Sequence, residues 1–530
     1  MAANDRPAEI QWLISNTTGE ITGYMVGSTE YPPPPWSKDG TSMVSPPGGL
    51  SVPMVQTNAT TGATELLGPD GVISTGGLGQ KILTIGLGGN YPDLYTAIQA
   101  SAPNQYSNFV VIQSVVGTSV NAINGFSPTI GVTGAQFRTD KVRTGDFIRK
   151  VGSTRRYRIR AVNNETTLKL YENWAEATIG GVAQDFYIER LVWKTYMFTD
   201  EESTFSVRNS EVLGSLPHGT HLCGFGKGVT RVSEDADAAV SGPVFKHIGM
   251  SRFSNISFAP TRKYGAMDSL VGSFFQDMFG GGEVSFDNVE IYSQNTNGDH
   301  SGSGLALPLP PGGVLRMSNT DVRSEGTAQM AGMDLTPTTS VVGTKDNTRM
   351  IVSGGSFGFT HGYDNSVAGT IAVPSLIQLN KAVTASFIGT DFITSGWAID
   401  PSGSFSAERV CGIRVADAFA GPVTVSEVNL TGCKMALENT DASAVSKTVG
   451  VYVANASTVN IESSSISVSG SGATGVETNH ASAVVNIRAG ARVHSTVAGR
   501  TLVNTLGTIN LSSRADAIGT NTGSITAAST

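Results

Sequence analysis

The sequence predicts a mainly β chain wound as a parallel solenoid, and three observations carry that expectation. An apolar-x-(Asn/Gly)-x unit recurs through the second half: Phe253-Ser254-Asn255-Ile256, Phe286-Asp287-Asn288-Val289, Met317-Ser318-Asn319-Thr320, Val352-Ser353-Gly354-Gly355, Phe387-Ile388-Gly389-Thr390, Leu430-Thr431-Gly432-Cys433, Ile461-Glu462-Ser463-Ser464 and Ile487-Arg488-Ala489-Gly490. Its leading apolar residues stand 26 to 43 positions apart, inside the roughly 20–50-residue periods of solenoids and arrays. Such uneven spacing suits a parallel β-helix with loops of changing length better than a propeller of equal blades. Composition agrees. Charged residues make up 15% and glycines number 63, which favours short strands and tight turns over helices. Finally, Gly88-Gly89-Asn90-Tyr91 leads into Pro92, with apolar residues at 94, 97 and 98 and a β run at Phe109–Ile112. That is one short amphipathic helix placed where a solenoid begins.

In chain order, residues 1–80 are rich in Pro and Gly, with Pro32–Pro35 before Trp36 and then Pro46-Pro47-Gly48-Gly49. The run Ile21–Val26 reads as a strand, but the segment lacks the makings of its own core and is expected to be ordered by a partner or sister chains. Residues 81–130 hold the helix, which would cap the open end of a solenoid and cover its unpaired strand edges. Residues 131–192 read as a small β barrel inserted into the start of the solenoid, with strands near Asp146–Ile148, Tyr157–Val162, Thr167–Leu170 and Phe186–Ile188 and a turn at Asn163-Asn164-Glu165. Residues 193–530 form the solenoid proper. In each unit the leading apolar residue is expected inside the tube, and the small or Asn residue two places later is expected inward as well.

The opening stretch Ile85–Ala100, followed by the rungs, resembles pectin-lyase-like right-handed parallel β-helices. With a Pro-rich N-terminus and an inserted β domain, the chain resembles bacteriophage tailspikes and tail fibres. The resemblance implies a homotrimer whose N-terminus docks on virion tail or neck proteins. It implies a β-helix that holds host surface polysaccharide such as lipopolysaccharide O-antigen, and a protein made in the bacterial cytoplasm and residing in the virion. No coiled-coil heptad or collagen-like repeat accompanies it.

The chemistry is less marked. Asn295-Thr296-Asn297-Gly298-Asp299-His300 and Asp391-Phe392-Ile393 only partly match polygalacturonase and pectin methylesterase motifs, so an ordinary loop and strand are expected there. Glycoside hydrolysis needs two carboxyls about 5–10 Å apart, and neighbouring rungs, about 4.8 Å apart, supply such pairs readily. Glu283, Asp287 and Glu290 lie in one rung, and Asp321 and Glu325 lie in the next. Glu283, Asp287 and Asp321 are the expected catalytic acids if the protein cleaves its ligand. Tyr292, Tyr363 and Trp397 are the candidate carbohydrate platforms. Nine cations fall within residues 138–160. On a strand Arg156, Arg158 and Arg160 share one face, so these three with Arg149 form a candidate contact for an anionic partner.

A net charge of −8 and the absence of interleaved aromatic residues weigh against nucleic-acid binding. Cys223, Cys411 and Cys433 have no metal-ligand spacing, and neither metal nor cofactor is expected. No apolar run approaches the ~18 residues of a membrane span, and residues 1–30 lack the order of a secretion signal.

Overall fold

The computed structural model describes residues 10–14, 21–26, 29–31, 54–57 and 64–67, and residues 81–528 apart from 124–127, 177–182, 201, 205–215, 234–247, 259–280, 296–301, 307–311, 327–329, 336–347, 361–374, 380–382, 396–408, 417–424, 439–446, 471, 499 and 519–520. The chain divides into two compact units, Met1–Leu83 and Thr84–Thr530. The first holds an antiparallel sheet of Ile10–Ile14, Ile21–Val26 and Thr29–Tyr31. Met54–Thr57 pairs antiparallel with Thr64–Leu67, which in turn pairs antiparallel with Lys81–Ile85. The run read as β at Ile21–Val26 is the central strand of the first sheet.

Early in the second unit comes the one helix among the described residues, α1, Leu94–Ser101. Asp93 caps it, accepting the Thr96 amide at 2.7 Å, so the helix begins two residues after Pro92. Leu94, Ala97 and Ile98 are its buried face, the three positions their spacing indicates.

Next come six antiparallel strands: Phe109–Ile123, Thr129–Val132, Phe147–Lys150, Tyr157–Val162, Thr167–Leu170 and Ala183–Leu191. They pair as a closed barrel around Phe137, Tyr157, Ile159, Trp174, Phe186 and Ile188. The β run at Phe109–Ile112 is the start of a 15-residue strand that pairs with Ala183–Leu191 and Thr129–Val132. It therefore belongs to this barrel and not to the solenoid.

From Lys194 onward the pairing is parallel and skips along the chain. Each turn contributes strands to three sheets. The first sheet runs through Val314–Ser318, Arg349–Ser353, Thr384–Ile388, Glu427–Thr431 and Thr458–Glu462. The second runs through Asp321–Gly326, Ser356–Thr360, Asp391–Ser395, Lys434–Glu438, Ser465–Ser469 and Arg492–Ser495. The third runs through Met330–Leu335, Ser375–Leu379, Arg409–Val415 and Lys447–Val453. This large parallel array is consistent with a parallel β-helix. Side chains alternate in and out along each strand, and like stacks on like inside. Phe253 lies flat on Phe286, with ring centroids 4.9 Å apart and planes at 9°, and Phe357 stacks on Phe392 at 5.7 Å.

The corner between the first and second sheets turns on a left-handed residue: Asn255, Asn288, Asn319 and Ser463, with φ between 45° and 54°, and Gly354, Gly389, Gly432 and Gly490 in the same role, Gly354 being followed by a second positive-φ residue, Gly355. The recurring small residue therefore faces out of the tube, against the inward expectation. A residue at positive φ turns the chain without filling the interior. It is the next residue that re-enters, as the buried Ile256, Val289, Thr320, Thr390, Cys433 and Ser464 show.

Two asparagine ladders run along the outside. At the corner, Asn288 donates to Asn255 at 2.8 Å and Asn319 donates to Asn288 at 2.9 Å. On the first sheet Asn429, Asn460, Asn486 and Asn510 stand in register, each amide donating to the one before at 2.8–2.9 Å.

Candidate functional site

The register decides which acids meet. Asp287 pairs with Ser254 and Ser318 on the first sheet, at an exposed edge. Asp321 lies around the corner on the second sheet, in register with Glu290. Glu283 begins the Asp287 strand, four residues away. The three expected acids are thus spread over two sheets. The acids in register on neighbouring strands are Glu290 and Asp321, and such strands lie about 4.8 Å apart.

Both are held by neighbours. Asp321 Oδ2 accepts Lys227 Nζ at 2.8 Å and its Oδ1 accepts the Ser356 hydroxyl at 2.6 Å. Glu290 Oε2 accepts the Ser257 hydroxyl at 3.1 Å, with Arg323 Nη1 at 3.8 Å from Oε1. Lys227 comes from the loop Gly224–Thr230, which lies along the coil and also reaches the Asn319 carbonyl at 3.1 Å. Phe225 and Val229 of the same loop are exposed. Glu290 had a readable sign, because it stands two places after the left-handed Asn288 as Asp321 does after Asn319. Nothing in the sequence signals Lys227, since a loop's reach across strands leaves no local pattern.

Of the expected platforms, Tyr292 is half-buried on the second sheet in register with Arg323, while Tyr363 and Trp397 lie outside the described residues. Asp391 takes its place in the Asp321 column, between Ser356 and Lys434.

Within the strand Arg158 and Arg160 alternate with the buried Tyr157 and Ile159, whereas Arg156 precedes the strand and is itself buried, and most of the expected anionic-partner set lies against protein. Arg149 and Arg156 both grip Glu189 at 2.7 Å, and the Glu189 side chain is only 3% exposed. The Arg156 guanidinium also lies 4.1 Å from the Tyr106 ring centroid and 4.6 Å from that of Phe109. Arg158 donates to the Gly281 carbonyl of the coil, and burial lowers its pKa. Arg160 alone of the four is exposed. Alternation shows which residues share a face, not what covers it.

The junction between barrel and coil is buried and aromatic. His218 is fully enclosed, its Nδ1 accepting the Met250 amide at 3.1 Å, with Tyr106 stacked at 5.9 Å. Burial, assisted by the charge of Arg156, lowers its pKa to about 3. His221, bonded to Thr195 and Ser254, is lowered to about 4 by burial and then by Arg252. Cys411 and Cys433 are buried and Cys223 is half-buried, and none of the three is in a disulfide. Among the described residues no cluster of His, Cys, Asp or Glu could hold a metal ion, and no helix is long and apolar enough to cross a membrane.

Neither a scan against protein-family models nor searches of curated proteins and solved structures gave a match to this chain.

Proposed function

We propose that this is a phage tail spike or tail fibre protein that attaches the virion to host surface polysaccharide. In this reading residues 193–530 form a right-handed parallel β-helix, three chains associate, and the N-terminal segment docks on virion tail or neck proteins. The observation that supports it best is the long face of in-register polar columns at about 4.8 Å intervals. A repeating glycan lying along such a face gathers many weak contacts, and side chains already fixed by the coil lose little entropy on binding. That Met1–Leu83 forms a compact unit of its own suits an attachment segment. Deleting residues 1–80 is expected to leave a soluble assembly of three chains by light scattering that adsorbs to host cells but no longer joins its particle. Unfolding of the coil on deletion, or a monomeric mass, would count against this.

A second reading, a polysaccharide depolymerase, is favoured by the Glu290–Asp321 pair. Their strands are adjacent and about 4.8 Å apart, which lets the two carboxyl groups take up the roughly 5–5.5 Å of retaining glycosidases. If the purified protein releases reducing ends from host polysaccharide, Glu290→Gln and Asp321→Asn are each expected to lower the rate at least a hundredfold while adsorption persists. Asp391→Asn, farther along the Asp321 column, is expected to leave it near wild type. No release by the wild-type protein leaves adsorption as the function, and full activity in both variants removes the pair from consideration.

A further inference from the structure

The chain as a whole is acidic, with a net charge of −8, yet guanidiniums gather where the barrel meets the first sheet. Arg252 and Arg316 stand in one outward column with Ser285 between them, roughly 10 Å apart at the strand spacing, and both are exposed. The Arg252 guanidinium lies 4.0 Å from the ring centroid of Trp193. Arg316 Nε donates to Glu283 Oε1 at 3.1 Å, with the two side chains 52% and 32% exposed. Exposed Arg349 follows in the same column as Glu283, two strands along.

A further cation comes from the barrel. Arg158 donates to the carbonyl of Gly281, two residues before Glu283. Its Nε–H is buried with no hydrogen-bond partner, so protein atoms do not saturate this guanidinium. Glu283 lies within electrostatic range of Arg158 and Arg252 as well. Four guanidiniums thus face two carboxylates, Glu283 and the edge residue Asp287, which leaves two positive charges in excess. The exposed Arg316–Glu283 pair contributes little by itself, on the order of 1 kcal/mol or less, and can be exchanged for a better partner.

We infer that this face takes the carboxylate or phosphate of an acidic saccharide, with Arg252 and Arg316 contacting the anion and the Trp193–Arg252 stack bordering the sugar. Guanidinium forks match both groups bidentately. Glu283 then acts as an internal competitor that Arg316 exchanges for the ligand. This rests on the adsorption reading above and narrows its substrate class.

The test uses the full-length protein on a biosensor carrying purified bacterial surface polysaccharides, some bearing uronate or phosphate and some neutral, at 50 and 300 mM NaCl. Binding is expected to acidic members, several-fold weaker at the higher salt. Arg252→Gln and Arg316→Gln are each expected to weaken it at least tenfold with an unchanged Tm. Glu283→Gln is expected to tighten it two- to five-fold, the opposite of what a residue working on the ligand would show. The inference is overturned if both arginine variants bind as wild type, if Glu283→Gln weakens binding, or if only neutral members bind, the last leaving the adsorption reading intact. No binding to any member, acidic or neutral, overturns the inference and the adsorption reading together.

Discussion

Replacing Gly355 with Ala is expected to cost about 3 kcal/mol or more, read as a loss of soluble protein and an earlier denaturant midpoint. Gly355 sits at φ +71°, and a Cβ there would lie 2.1 Å from the Thr320 carbonyl oxygen and 2.6 Å from the Thr320 nitrogen. These are backbone atoms of a fully buried residue, and the same Thr320 oxygen accepts the Ser356 amide at 3.1 Å while Gly355 O accepts the Asp391 amide at 3.0 Å. Neither strand can move aside without breaking the ladder, so left-handed strain and overpacking add. The adjacent Gly354 is the control. It also has positive φ, but only the Asn319 backbone approaches, at 3.9 Å, and three preceding corners hold asparagine in this conformation. Gly354→Asn is therefore expected to be neutral or to add up to about 1 kcal/mol, by lengthening the corner ladder and restricting the unfolded chain. Equal damage from both substitutions would mean that the corner register is wrong.

Acid is expected to weaken the barrel–coil junction before the rest of the coil. The pKa of His218 falls from 6.5 to about 3 in the folded state. Between those values the unfolded chain binds the proton and the folded chain does not, so stability falls as pH is lowered from 6.5 towards 3. The slope is about 1.4 kcal/mol per pH unit for one proton, and His221, lowered to about 4, adds in the same direction. Above pH 7 neither contributes a pH dependence. Thermal melts from pH 7.5 to 4 should show a falling Tm that flattens above pH 7, and His218→Gln should lessen the fall. Glu189→Ala at neutral pH should destabilise the same junction by about 3–5 kcal/mol, because Arg149 and Arg156 would be left partly buried without their carboxylate. A Tm independent of pH down to 4 would contradict this account of the junction.

The coil was legible because its corner demands a residue at positive φ, and only a few residue types meet that demand cheaply. Asn255, Asn288, Asn319 and the glycines at 354, 389 and 432 wrote the repeat into the sequence. The same signal was misread in direction, since a left-handed residue interrupts the in–out alternation on which an inward assignment depends. The helix was legible from Leu94, Ala97 and Ile98, though its start shifted to the Asp93 cap. The barrel was harder to delimit, because Phe109–Ile123 is an apolar-rich strand whose partners lie as far away as Ala183–Leu191 and nothing local names them. Pairing of acids was visible only in part. Counting from the leading apolar residue drew attention to Asp287, whereas counting from the corner would have matched Glu290 with Asp321. Arg149, Arg156 and Arg158 showed the opposite limit, with their shared face readable but not the Glu189 and Gly281 that occupy it.

The first-sheet asparagine ladder has a consequence beyond stiffening. Every side-chain amide from Asn510 back to Asn429 donates in the same sense, towards the start of the chain, so the amide dipoles align head to tail and reinforce one another. Their positive end falls at Asn429, where the terminal amide meets the Glu427 carboxylate at 3.5 Å, as an acid meets the first turn of a helix. Their negative end falls at Asn510, close to the last strand, Ile525–Ala528. This stretch of the coil thus has an electrical as well as a chemical direction, and its Asn510 end is the one disposed to draw a cation or a donor.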